Sequence, residues 1–133
     1  MSVIRSHIMV CCGTGCTSSE SPKIAAAFEE QLAAAGLSEE IKLVRTGCFG
    51  LCAAGPIVMV FPDGTCYSRV TPADVTDIVQ EHLIKGRVVE RLLHMEGDRG
   101  DTVTSLSETQ FYKHQTRIAL RNCGVIDPES IDE

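Results

Sequence analysis

The chain has 133 residues and a formal net charge of −6, from 12 Lys and Arg against 18 Asp and Glu, with a mean hydropathy of +0.07. That length suits one compact domain with an appended tail, its 44% hydrophobic content is that of a folded globular chain, and its acidity speaks against nucleic acid or an anionic membrane as partner. No apolar run nears the roughly 20 residues that cross a bilayer, and the N-terminus MSVIRSHIMVCCG carries no signal-peptide core, so the expectation is no membrane insertion and a cytoplasmic location.

SHIMV, from Ser6 to Val10, is a short apolar run that predicts a first strand ending in a cysteine-rich turn. Ser21 offers an N-cap, Pro22 suits the first helical position, and Ile24, Phe28, Leu32 and Ala35 fall on one face. Gly36 then provides a left-handed helix end. IKLVR (Ile41 to Arg45) reads as a second strand, and the continuous apolar run PIVMVF (Pro56 to Phe61) as a third, covered on both faces. Pro62, Asp63 and Gly64 signal a hairpin turn into an edge strand, TCYSRV. Thr71 and Pro72 repeat the cap-plus-proline start, and Val75, Ile78, Val79, His82 and Leu83 mark the buried side of a helix ending near Gly86.

The order is β-α-β-β-β-α, an α/β domain with a small mixed sheet flanked by two helices, closed by the apolar segment RVVERLLH. EGDRGDTVTS is polar and unpatterned and reads as a linker. Beyond it, Ser107 caps an expected tail helix with Phe111, Gln115, Ile118 and Ala119 on one side, and Asp127 with Pro128 starts another. The pattern stops partway through that helix, which reads as the start of a further domain. The expected divisions are 1–95, 96–106 as linker, and a helical tail at 107–133.

Seven cysteines is an odd number, and in a reducing compartment it favours metal or redox chemistry over a disulfide scaffold. Two glycine-rich pairs stand out. Cys11 and Cys16 are spaced C-x₄-C, and Cys48 and Cys52 are spaced C-x₃-C. Each pair follows a predicted strand, so neighbouring strands would bring both loops to one end of the sheet. Four thiolates suit a [2Fe–2S] cluster, although the spacing is not the plant-type one. They also permit zinc, which favours closer pairs. A thioredoxin-type C-x-x-C is absent. Spacing leaves open whether Cys12 replaces Cys11. The glycines allow close approach of backbone N–H groups to sulfur.

Cys66 and Cys123 read as small apolar residues, and His82 as a packed side chain. His7, His94 and His114 have no partner at recognisable spacing. Lys113, Arg117 and Arg121 read as a solvated stripe.

The four-cysteine pattern resembles the thioredoxin-like [2Fe–2S] ferredoxins, which include the small cluster-bearing subunit of respiratory complex I. The blocks VCCGTGCTSS, RTGCFGLCAAGPIVMVFPDG, VTPADVTDIVQEHLIKGRVVERLL and FYKHQTRIALRNCGVIDPESIDE, in that order, resemble the N-terminal region of one subunit type. That is the flavin-bearing, NAD(H)-binding β subunit of multimeric, electron-bifurcating [FeFe] hydrogenases, itself similar to the flavin subunit of complex I. The resemblance implies cluster ligands at Cys11, Cys16, Cys48 and Cys52, and a departure at Cys12, where the family commonly has glycine. It implies a tail leading into a flavin domain, so that FMN and NAD(H) bind only in that absent downstream domain. Pro56 matches the loop where thioredoxin folds place a cis-proline. The implied function is one-electron transfer within an NAD(P)-linked flavin and iron–sulfur oxidoreductase complex. Its partners are other iron–sulfur and flavin subunits, and this domain has no small-molecule substrate or catalytic residue. The alternatives are a docking module with the cluster lost or replaced by zinc, and a thiol sensor using Cys12 and Cys16.

Overall fold

The computed structural model describes residues 3–96, 100–122, 126, 131 and 132. Strand β1 (Ser6–Cys11) leads through a short helix α1 (Thr14–Ser18) and helix α2 (Ser21–Ala34) to β2 (Ile41–Thr46), which pairs parallel to β1. Strand β3 (Val58–Phe61) pairs antiparallel to the other side of β1, and β4 (Thr65–Tyr67) antiparallel to β3. The four-stranded mixed sheet runs β2-β1-β3-β4. The Gly55–Pro56 and Phe61–Pro62 peptide bonds are cis. Helix α3 (Asp74–Asp77) passes without a break into a π-helical stretch, Ile78–Ile84.

Strand alternation divides the core. Ile8 and Val10 of β1, with Val58 and Val60 of β3, face Ile24, Phe28, Val75 and Ile78, so both long helices share one face of the sheet. Met9, Cys11, Met59 and Cys66 point to the other face, where Cys16, Phe49 and Ile57 cover them. The cysteine loops do on that face what a helix does on the first. The run Ile57 to Val60 is buried throughout, as its apolar continuity predicts. Among the described residues no helix is long and apolar enough to cross a membrane.

Four local expectations differ. Ser21 does not cap α2. Glu20 takes the cap position with φ 70, and this left-handed turn out of α1 carries the Ser21 side chain into the buried interior. The edge strand is shortened to three residues, and its outer side is covered. Cys66 N–H donates to Thr104, Ser68 N–H donates to Leu92, and Tyr67 bridges to Leu93. Part of the segment read as a linker takes up regular structure: Thr104 bonds the edge strand, and β5 (His94–Glu96) pairs antiparallel with β6 (Asp101–Val103). Its residues lack periodicity because a three-residue strand covering a sheet edge needs little of it.

The tail also departs from expectation. Ser105 and Glu108 form a capping box, Thr109 caps α4 (Gln110–Lys113), and the helix stops at His114. Ile118 and Leu120 are exposed. A single short helix gains little without a packing partner for its apolar side; Phe111 finds one at Gly50, while Ile118 stays exposed. Cys123, Asp127 and Pro128 lie outside the described residues.

Candidate metal centre

Cys11 ends β1 and pairs in register with Thr46 at the end of β2, so the two loops leave the sheet side by side. Cys11 N–H donates to the Ile57 carbonyl and Cys12 N–H to the Thr46 carbonyl, which fixes the start of the first loop against both neighbouring strands. Gly13 to Ser19 then wind into α1, with Cys16 on its buried side. Residues 47–51 form the second loop, and Cys52 opens a single 3₁₀ turn, Cys52–Ala54.

The four paired cysteines come together. Cys48 and Cys52 sulfurs are 3.3 Å apart. The Cys11 thiol interacts with Cys16 and with Cys48, and its charge is felt at Cys52. The fifth nearby thiol has other neighbours besides Cys11. Cys12 is half-buried and neighbours Ser21 and the Arg45 charge. Burial raises its pKa, with Ser21 and Arg45 acting in the opposite sense.

Burial splits the four. Cys11 and Cys16 are 1% and 2% exposed, whereas Cys48 and Cys52 lie at the surface. Burial pushes the Cys16 thiol up to about 11, against a backbone hydrogen bond from Ile57. The Gly50 N–H, 3.2 Å from Cys48 Sγ, together with the Cys52 thiol, holds Cys48 below the ordinary thiol value. Sharing a hydrogen bond with Cys48 raises Cys52 correspondingly. The outer pair thus leans opposite ways, Cys48 toward the thiolate and Cys52 toward the thiol, as two sulfurs 3.3 Å apart must when they share one hydrogen bond.

Glycines make the approach possible. A Cβ on Gly13 would lie 2.9 Å from Cys48 Cβ, and one on Gly55 would lie 2.8 Å from Cys16 Sγ. Gly50, at φ 85, adopts a conformation that L side chains resist. Four thiols, a backbone donor and loops that exclude side-chain bulk fit a [2Fe–2S] cluster, which takes two thiolates on each iron. Among the described residues no group of three or more His, Cys, Asp or Glu side chains is already arranged to hold a metal ion.

Other expected residues fall elsewhere. Cys66 is fully buried, and burial pushes it up to about 12, as suits a neutral packing thiol. His82 is packed, with Tyr67 Oη 2.7 Å from its Nδ1 and Asp63 3.1 Å from its Nε2. His94 is buried in β5, with Nε2 3.8 Å from Glu96. The stripe of Lys113, Arg117 and Arg121 does not form, because the helix ends first. Arg117 instead lies over the Tyr112 ring, 5.2 Å from its centroid. Tyr112 has a contact that local sequence did not signal, for its hydroxyl donates to the Phe49 carbonyl across 63 residues.

The comparisons with known proteins bear on the family and the fold. A family model described as thioredoxin-like [2Fe-2S] ferredoxin matches residues 2–83. A 2Fe-2S ferredoxin of Clostridium pasteurianum is 42% identical over 96 residues, which is 66% of this chain and 94% of that protein. The solved thioredoxin-like [2Fe-2S] ferredoxin of Aquifex aeolicus superposes with a TM-score of 0.65 at 33% identity, covering 71% of this chain and all of that one. A chain of an NAD+-reducing [NiFe]-hydrogenase shares the fold, with a TM-score of 0.53 at 12% identity over 77% of this chain and 18% of its own. With four thiols gathered at the ends of β1 and β2 on that fold, the chain belongs to the thioredoxin-like [2Fe-2S] ferredoxin family.

Proposed function

We propose that this chain transfers single electrons with a [2Fe–2S] cluster held by Cys11, Cys16, Cys48 and Cys52, inside an NAD(P)-linked flavin and iron–sulfur complex of hydrogenase type. The cluster supplies the one-electron couple when bound. The observation that carries the ligand set is the meeting of those four thiols, while Cys12 has Ser21 and Arg45 as neighbours besides Cys11. The protein's part is to place the sulfurs, present the Gly50 N–H to Cys48, and leave the outer pair at the surface for a redox partner.

The setting in a larger complex rests on the sequence blocks, in particular RIALRNCGVIDPESIDE, which resembles the lead into a flavin domain. Partners on this reading are flavin and iron–sulfur subunits, and FMN and NAD(H) belong to the domain that follows. The likeness to the NAD+-reducing hydrogenase is one of fold.

Single Cys→Ser variants purified without air test the ligand set by iron content, visible absorption and the electron paramagnetic resonance of the dithionite-reduced protein. Each of the four is expected to lose iron or change its spectrum, and Cys12→Gly to keep about two irons and the parent spectrum. Iron loss in Cys12→Gly with an intact Cys11→Ser spectrum overturns the assignment, and a colourless zinc protein overturns the cluster.

A further inference from the structure

The peptide unit joining Phe49 to Gly50 is held at both ends. Its N–H, which belongs to Gly50, lies 3.2 Å from Cys48 Sγ. Its carbonyl oxygen, which belongs to Phe49, accepts the Tyr112 hydroxyl. This bond is trans, since the cis bonds are those before Pro56 and Pro62. A trans peptide points its N–H and C=O in opposite directions within one plane. Anchoring the oxygen therefore sets where the N–H points.

The anchor is itself anchored. Tyr112 N–H bonds the Thr109 hydroxyl, and the α4 amide of Gln110 donates to Glu96 at 2.8 Å. Arg117 covers the Tyr112 ring, and Phe111 meets it edge-on with ring centroids 5.1 Å apart. Phe111 also lies against Gly50, so closely that a Cβ there would be 3.1 Å from its ring. On the other side the Phe49 side chain is buried in the core beside Met59 and Cys66. The loop has little freedom to turn this peptide away from the sulfur. The arrangement comes from outside the span that the family model matches, residues 2–83, so the tail supplies it to the ferredoxin core.

We propose that Tyr112 is a positioning residue for the metal centre: by holding the Phe49 carbonyl, its hydroxyl aims and polarises the Gly50 N–H toward Cys48 and raises the reduction potential. This rests on the reading of Cys48 as a ligand. A hydrogen bond to a carbonyl strengthens the same amide as a donor, because bonds in a chain polarise one another. A stronger donor to a ligating sulfur draws charge from it and favours the more negative, reduced state.

The test is a dithionite titration of the full, cluster-loaded chain, followed by electron paramagnetic resonance, with three variants and a control. Tyr112→Phe keeps the ring and is expected to lower the potential, making reduction about twofold or more less favourable, with iron content unchanged. Tyr112→3-fluorotyrosine, a stronger donor of nearly the same size, is expected to raise it. Phe111→Leu loosens the loop but keeps the phenol, and is expected to move the potential less than Tyr112→Phe does. An unchanged potential in both Tyr112 variants overturns the proposal, as does an equal shift in all three. Cys48→Ser separates the two readings. If it retains the parent spectrum, the ligand assignment fails. If its spectrum changes while the Tyr112 variants match the parent, the role of Tyr112 alone fails.

Discussion

Gly55 packs against Cys16 so closely that a single added carbon would lie 2.8 Å from the sulfur and 3.3 Å from the Cys52 carbonyl oxygen. That backbone forms the wall behind one thiol and leads directly from another. Gly55→Ala is therefore expected to displace Cys16 and cut iron per chain well below that of the parent. Gly13→Ala, with 2.9 Å to Cys48 Cβ, should act the same way, whereas Gly47→Ala, with nothing within 4 Å, should load normally. Iron analysis and visible absorption of the three variants check this. A fully loaded Gly55→Ala protein would show that the loop has slack the packing does not suggest.

The Tyr67 hydroxyl joins three elements. It bonds His82 Nδ1 at 2.7 Å and accepts the Val89 N–H at 3.1 Å, while His82 Nε2 reaches Asp63. One oxygen thereby ties β4 to the long helix and to the segment that follows it. Tyr67→Phe orphans two buried partners and is expected to cost about 1–3 kcal/mol, read as a lower midpoint in urea denaturation. A midpoint equal to the parent's would mean that water replaces the hydroxyl.

Phe28 anchors the helical face of the core and is fully buried among Ile24, Ile78 and the β1 residues. Phe28→Ala is expected to destabilise the fold by about 3–5 kcal/mol through lost burial and the cavity left behind. Chemical denaturation measures it. The four thiols sit on the opposite face of the sheet, so variant protein that remains folded should load iron like the parent.

Asp74 ties the start of α3 to the segment after it. Burial works to raise its carboxyl, but bonds from Thr71 and Arg91 outweigh burial and hold it below its ordinary value. A carboxyl with a lower pKa in the folded chain than in the unfolded one stabilises the fold above the unfolded value, about 3.9. That contribution disappears as pH falls through the folded value. Asp74→Asn should therefore melt at a lower temperature than the parent at pH 7, with the gap closing below about pH 4. Thermal melts at several pH values test this, and a gap that persists at low pH would place the contribution in the shape of the side chain rather than its charge.

Much of this architecture is legible in the chain because it follows from short-range rules. Alternating Ile8, Met9 and Val10 must split between two faces, Ile24, Phe28 and Leu32 must share one side of a helix, and two Cys–Gly loops after neighbouring strands must meet. The unread parts depend on distant partners. Nothing near Ser21 reveals that Glu20 turns left-handed and leaves the serine to be buried. Ile118 has the spacing of a helical face, yet helix formation there needs a surface to cover. Met95 and Thr102 pair between two three-residue strands too short to show alternation, held in place by an edge strand about thirty residues earlier in the chain. The bond from Tyr112 to Phe49 joins a capped tail helix to a glycine loop, and neither segment alone encodes it.

The uneven burial of the two cysteine pairs gives the site a front and a back. On the proposed ligand set, Cys11 and Cys16 would hold the cluster from the sheet side, and Cys48 and Cys52 would hold it from the solvent side. A redox partner would then come nearest to the centre on the side of Cys48 and Cys52, an orientation set by where β1 and β2 end. The same asymmetry sets which thiols solvent reaches: chelators and oxygen would meet Cys48 and Cys52 of the second loop before the sheltered inner pair.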